Sequence, residues 1–135
     1  MTSEPDKNFL ANIINGQNDS DDKIVILDTV LRYYPRGYEL WENALDLCLT
    51  WGDTYRKLSN MKDITPETKL SYLHYVASFN DLFEKASEPF TDLEQDDFSI
   101  NVLAFLGKIK NGEDLDTAAS DSELPDLPSK GGFHL

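Results

Sequence analysis

The stretch Thr65-Pro66-Glu67-Thr68-Lys69-Leu70-Ser71-Tyr72-Leu73-His74-Tyr75-Val76-Ala77-Ser78-Phe79-Asn80-Asp81-Leu82-Phe83-Glu84-Lys85-Ala86-Ser87-Glu88-Pro89 decides the fold class. Its first three residues are a helix start. Threonine offers an N-cap oxygen, the fixed φ of proline suits the first helical position, and glutamate meets the positive end of the helix dipole. Beyond them Leu70, Leu73, Val76, Ala77, Asn80, Phe83 and Ala86 recur at helical spacing until Pro89 ends the run. The spacing predicts one long helix with those side chains toward a core.

Working outward, the same period recurs on both sides. Upstream, Tyr38, Trp41, Leu45 and Cys48 share a face of a helix starting near Gly37, with Ala44 and Leu47 beside them. Gly52 marks a break there, and Asp53 caps a short continuation through Tyr55 and Leu58. Lys23 to Tyr34 places Ile24, Leu27, Leu31 and Tyr34 at helical spacing before Pro35, although the β-branched residues at its start also suit a strand. Asn18-Asp19-Ser20-Asp21-Asp22 supplies capping oxygens for that helix, and Lys7 to Asn15 forms a short first one. Downstream, Thr91-Asp92-Leu93-Glu94 has capping-box spacing. A last helix carries Phe98, Val102, Phe105, Leu106 and Ile109, then Lys108 and Lys110 near its negative end, then Asn111-Gly112 as terminator. No Asn-Gly or Asp-Gly turn joins two alternating patterns. The expectation is an all-α fold: a small bundle of about five helices over residues 7–111, a disordered N-terminus over 1–6, and a disordered acidic tail over 112–135.

Charge narrows the function classes. The 135 residues include 25 acids and 12 bases, a formal net charge of −13. Phosphate-binding surfaces are basic, so this balance opposes direct nucleic-acid contact and a polybasic membrane patch. The excess is uneven: residues 23–62 carry five acids against six bases, whereas residues 112–135 carry six acids against one base. The N-terminal residues lack the basic and apolar regions of a secretory signal, and the single cysteine, Cys48, forms no internal disulfide. A soluble intracellular protein is expected, cytoplasmic or, in a eukaryote, nuclear.

One stretch, about residues 27–55, resembles a tetratricopeptide (TPR) helical hairpin. Pro35 precedes Trp41 by six residues, Gly52-Asp53 follows Trp41 by eleven, and Val30-Leu31-Arg32-Tyr33-Tyr34-Pro35 looks like the end of a repeat's second helix. The resemblance covers about a quarter of the chain. The large-then-small pair is inverted as Ala44-Leu45, Lys57 stands at a small-residue position, and a shift of one repeat puts Lys69 and Ala86 at the proline and glycine positions. The resemblance implies TPR-like packing, a protein-binding scaffold and no catalysis.

Motifs for chemistry are missing. The acids from Asp19 and from Asp92 begin like calcium loops, but Ile24 and Asp97 occupy the glycine positions, so they read as helix caps and solvated acids. His74 and His134 have no partner at zinc-ligand spacing, and no phosphate-binding glycine loop or nucleophile elbow occurs. Cys48 reads as a core thiol and His74 as a partly buried or rim residue. No catalytic residue, metal site or cofactor is expected.

Aromatics are the stronger clue. Tyr33, Tyr34, Tyr38, Trp41, Trp51 and Tyr55 fall within 23 residues, with Arg32, Arg36 and Arg56 among them. Most suit a core with polar rims; those pointing outward suit an interface, because Tyr, Trp and Arg dominate binding hot spots. The candidate partner-binding set is Tyr34, Arg36, Tyr38, Trp41, Trp51 and Tyr55. In the tail, Ser120 with Glu123 three residues on fits an acid-directed kinase site. The expected function is a non-enzymatic protein–protein interaction module, a small adaptor or a subunit of a larger complex. The alternative is an acidic inhibitor, immunity- or antitoxin-like or a nucleic-acid mimic, or a chaperone, masking a basic partner protein. Homo-oligomerisation stays open.

Overall fold

The computed structural model describes residues 8–88 and 99–124. Among them are six helices and no strand: α1 (Asn8–Asn15), α2 (Ser20–Tyr33), α3 (Glu39–Ser59), α4 (Pro66–Ser87), α5 (Ser99–Lys110) and α6 (Leu115–Asp121). The fold is all-α, as the periodicity predicts. The expectations for residues 1–7, 89–98 and 125–135, including the capping box at Thr91 and the tail beyond Leu124, lie outside the described residues.

α2 is the central element. Asp19 caps it by accepting from the Asp21 amide at 2.9 Å, so that acid serves the helix end. Ile24, Val25, Ile26, Leu27, Val30 and Leu31 are all buried, a girth of apolar contact that only a helix enclosed by neighbours has. Thr29 satisfies its buried hydroxyl on the Val25 carbonyl at 2.8 Å. That enclosure overrides the strand preference of Ile and Val. Tyr34, extended at φ −101° and ψ 140° ahead of Pro35, ends α2.

α3 and α4 form the most extensively packed pair, antiparallel across the loop Asn60–Thr65. The expected break at Gly52 does not occur, because α3 runs through it to Ser59. Gly52 is buried, and a Cβ there would lie 3.4 Å from Asn80 Oδ1 and 3.7 Å from Phe79 Cβ. The glycine admits α4 at close range; its weak helix propensity is outweighed by packing over a helix of 21 residues. Thr65 caps α4 by accepting from the Thr68 amide at 3.1 Å, with Pro66 at the first position.

The buried face of α4 differs from the expected one. Val76, Phe79, Leu82 and Ala86 face the core, whereas Leu70, Leu73 and Ala77 are exposed. Length explains this. At 1.5 Å per residue the 22 residues of α4 span about 33 Å and the 14 of α2 about 21 Å. α2 begins level with Tyr75, where Ser20 Oγ hydrogen-bonds the Tyr55 hydroxyl and the Asp21 carboxylate acts on the Tyr75 phenol. The first half of α4 therefore overhangs α2, and Pro66–Tyr75 contributes no buried residue.

The C-terminal part also departs from expectation. α5 ends at Lys110 and is closed by Gly112, φ +97°, with Glu113 N donating to Lys108 O and Gly112 N to Ile109 O. The chain does not become tail there. Asp114 accepts from the Thr117 amide at 3.1 Å and starts α6, whose Ala118 and Ala119 are buried beside α5. Seven residues with two alanines as the apolar contact give no readable period, which is why this helix falls within the stretch expected to be disordered.

Candidate functional site

The aromatic stretch from Tyr33 to Tyr55 was the expected interface, and most of it is core. Tyr34, Trp41 and Tyr55 are buried, and Trp51 is partly buried. Trp41 donates its indole N–H to the Leu31 carbonyl at 3.0 Å, fixing α3 against the end of α2. Tyr55 sits among four rings: Tyr75 at 5.1 Å, Tyr72 at 5.7 Å, and Trp51 and Phe79 at 6.0 Å, the last within 13° of parallel. Trp51 is covered by the Lys23 ammonium, 4.7 Å from the ring, which also donates to the Gln17 carbonyl. Burial lowers the Lys23 pKa against the opposing pull of Asp19 and Asp22. Arg36 lies over the Trp41 ring at 5.1 Å and donates to the Glu88 carbonyl, tying the loop before α3 to the end of α4. These four rings hold helices together and leave little area for a partner.

Tyr38 is the exception in that set. It is half exposed, edge-on to Tyr34 at 5.7 Å and 88°. Ser120 is exposed on the last turn of α6, so the candidate modification site is helical.

Titratable groups show little poised chemistry. Cys48 is fully buried, and burial, with Asp28 adding, pushes its thiol up to about 12; it stays protonated at neutral pH and is a core side chain. His74 is exposed, edge-on to Tyr75 at 6.0 Å, rather than at a buried rim. Among the described residues no group of three or more His, Cys, Asp or Glu is placed to hold a metal ion. Burial raises the pKa of Asp28, with Arg32 and Lys85 opposing. It lines a cavity of about 230 Å³ between α2 and α4 with Leu31, Arg32, Arg36, Leu82 and Lys85. The cations there are engaged: Arg32 with Asp28 at 2.8 Å, Lys85 with Asp81 at 2.9 Å, and Arg36 with the Glu88 carbonyl. The volume is below that of ordinary small-molecule sites.

Isolated apolar side chains are exposed at Ile100 on α5 and Leu49 on α3, but a stripe of them is exposed on the overhang. Leu70 is 69% exposed, Leu73 43% and Met61, in the α3–α4 loop, 52%. Leu70, Leu73 and Ala77 stand at i, i+3 and i+7, one apolar stripe along a helix side that no other described helix covers. Composition pointed to the aromatics instead. The signal for the stripe was present in the period of α4, but its reading as core depended on a neighbour that ends too soon.

Fold and surface together define an all-α helical bundle in which three of the six exposed large apolar side chains, Met61, Leu70 and Leu73, lie at one hairpin end, while Tyr38, Leu49 and Ile100 stand apart from it. No described helix is long and apolar enough to cross a membrane. A scan against protein-family models finds no match, and searches of curated proteins and of solved structures find none either.

Proposed function

We infer that this chain is a non-enzymatic protein–protein interaction module, a small adaptor or subunit of a larger complex, and that it docks through the overhanging end of α3–α4. The observation behind this reading is the exposed stripe of Leu70 and Leu73 on a half-helix that meets the core only through the partly buried Tyr72 and Tyr75. Fully burying a leucine is worth about 1.5–3 kcal/mol, so two left in water on one stripe are a reserve of binding energy that folding does not use. The aromatic face serves the fold, and Tyr38 is its one well-exposed member. The inert Cys48 and the engaged cations around Asp28 favour recognition over catalysis.

Affinity capture with the full chain tests this reading. Leu70→Ser/Leu73→Ser should lose the proteins that the unaltered chain retains, while Cys48→Ser keeps them. Retention of the same set by the leucine variant sinks the reading. Loss with Tyr38→Ala alone moves the docking surface to the loop before α3. Turnover of a substrate by the pure protein, abolished by one side-chain change, contradicts the non-enzymatic assignment.

A further inference from the structure

The surroundings of the apolar stripe carry information about what meets it. The fourteen residues from Arg56 to Lys69 hold four of the chain's 12 cations and only two of its 25 acids. All four cations are exposed. Arg56 and Lys57 share one carboxylate, that of Asp53, at 3.8 and 3.0 Å, while Lys62 and Lys69 pair with no acid among the described residues. Most other described cations are engaged elsewhere: Lys23 is buried, Arg32 and Lys85 sit in ion pairs, Arg36 covers Trp41, and Lys110 lies over Phe9 at 5.5 Å, which leaves Lys108 on α5. In a chain of net charge −13, exposed apolar surface and positive charge coincide at the hairpin end.

We propose that this end docks an acidic amphipathic helix of a protein partner, whose apolar residues cover Leu70, Leu73 and Ala77 and whose carboxylates meet Lys62 and Lys69. The proposal rests on the docking reading above and adds the chemistry of the partner. Scale supports it. From Leu70 to Ala77 the stripe runs about 10.5 Å, the length that one crossing helix covers with residues at i, i+3, i+4 and i+7. Range supports it as well. Charges in water are screened over about 8–10 Å, so a compact helix on the tip responds to the local cations. An extended phosphate surface, bilayer or nucleic acid, also faces the acidic remainder of the chain and is repelled. A second copy brings another net −13.

The test uses the full chain and synthetic peptides of about 18 residues, long enough to be helical, with leucines at i, i+3, i+4 and i+7. Three versions flank the leucines with Glu, Gln or Lys, and anisotropy is read between roughly 0.05 and 0.5 M salt. The Glu peptide should bind at least about tenfold more tightly than the Lys peptide at low salt, and the gap should shrink with added salt. Lys62→Glu/Lys69→Glu should invert the order, and Leu70→Ser/Leu73→Ser should weaken all three. Equal affinity for the three peptides, tighter binding of the Lys peptide, or no binding of the Glu peptide at millimolar concentration overturns the proposal. So does binding of phosphatidylserine vesicles in preference to the Glu peptide, or a concentration-dependent dimer, seen by sedimentation, that the leucine substitutions dissolve. If only the charge variants are silent, the docking reading stands and the partner chemistry falls; if the leucine variant leaves every affinity intact, both fall.

Discussion

The two halves of α4 share a helical period and meet opposite fates. From Val76 to Ala86 the helix buries Val76, Phe79, Leu82 and Ala86; from Pro66 to Tyr75 it has no fully buried residue and only Tyr72 and Tyr75 packed partly against the core, although Leu70 and Leu73 are as apolar as anything in the first group. Propensity and pattern do not distinguish them. Their neighbours do: α2 lies along the second half, where Asp28, Leu31, Leu82 and Ala86 line one cavity, and it begins only level with Tyr75. An apolar stripe on a helix is a necessary sign of a contact, and the contact need not be within the same chain.

The sharpest way to break that comparison is to cut both halves. Phe79 is fully buried and stacked on Tyr55, so Phe79→Ala removes a core ring and leaves a cavity beneath α3. A loss of about 3–5 kcal/mol is expected in chemical denaturation. A loss below 1 kcal/mol would mean that the second half of α4 is no more committed to the core than the first.

Next in size is the contact that admits α4 to α3. Gly52→Leu places a side chain against Asn80 and Phe79 and should destabilise by about 1–3 kcal/mol. Gly52→Ala has the opposite expected sign. Its Cβ meets the far end of the Asn80 side chain at 3.4 Å, which can turn aside, and alanine gains up to about 1 kcal/mol of helix propensity over glycine. If both variants were neutral, α3 would break at Gly52 as its sequence suggests.

Asp28, on the α2 side of the second half, gives a smaller effect that depends on pH. Burial raises its folded pKa above the ordinary value of 3.8, with Arg32 and Lys85 offsetting only part of the shift. The folded state then holds the proton to higher pH than the unfolded chain. Its contribution to stability is full below the ordinary aspartate range and is lost as pH rises through the folded value. Asp28→Asn removes that slope. As pH rises from about 4 the unaltered protein should lose Tm relative to the variant, in thermal melts of both across the pH series. The Arg32 partner is 43% exposed and its ion pair contributes about 0–1 kcal/mol, too little to reverse the trend. A Tm difference independent of pH would place Asp28 in water.

Helix ends were the most legible part of the chain. Thr65-Pro66-Glu67, Asp19 and Asn111-Gly112 act through bonds to residues at most five positions away, and all three do so here. What the sequence hid depends on distant residues. Gly52 has one local meaning, weak helix propensity, and another set by Phe79 and Asn80 across the hairpin. The aromatics from Tyr34 to Tyr55 fit a core or an interface equally by composition; Leu31, Lys23 and Phe79 decide the matter for Trp41, Trp51 and Tyr55. Ala118 and Ala119 carry no period that distinguishes a docked helix from an acidic tail. The hairpin stripe was visible as a pattern and misassigned as core, because nothing local records that α2 starts level with Tyr75.

The smallest effect is the most informative about function. Leu70→Ser and Leu73→Ser each exchange an exposed side chain on a half-helix with no buried residue, so stability should change by no more than about 0.5 kcal/mol, mostly through helix propensity. Circular dichroism and denaturant midpoints check this directly. A residue whose removal costs stability is explained by the fold it supports. Leu70 and Leu73 lack that explanation, and a contiguous apolar stripe in water raises the hazard of nonspecific association. Tolerance of both substitutions by the fold, together with loss of partner binding, would assign the first half of α4 to recognition. A loss above about 2 kcal/mol from either single change would instead show that the stripe is covered within the chain.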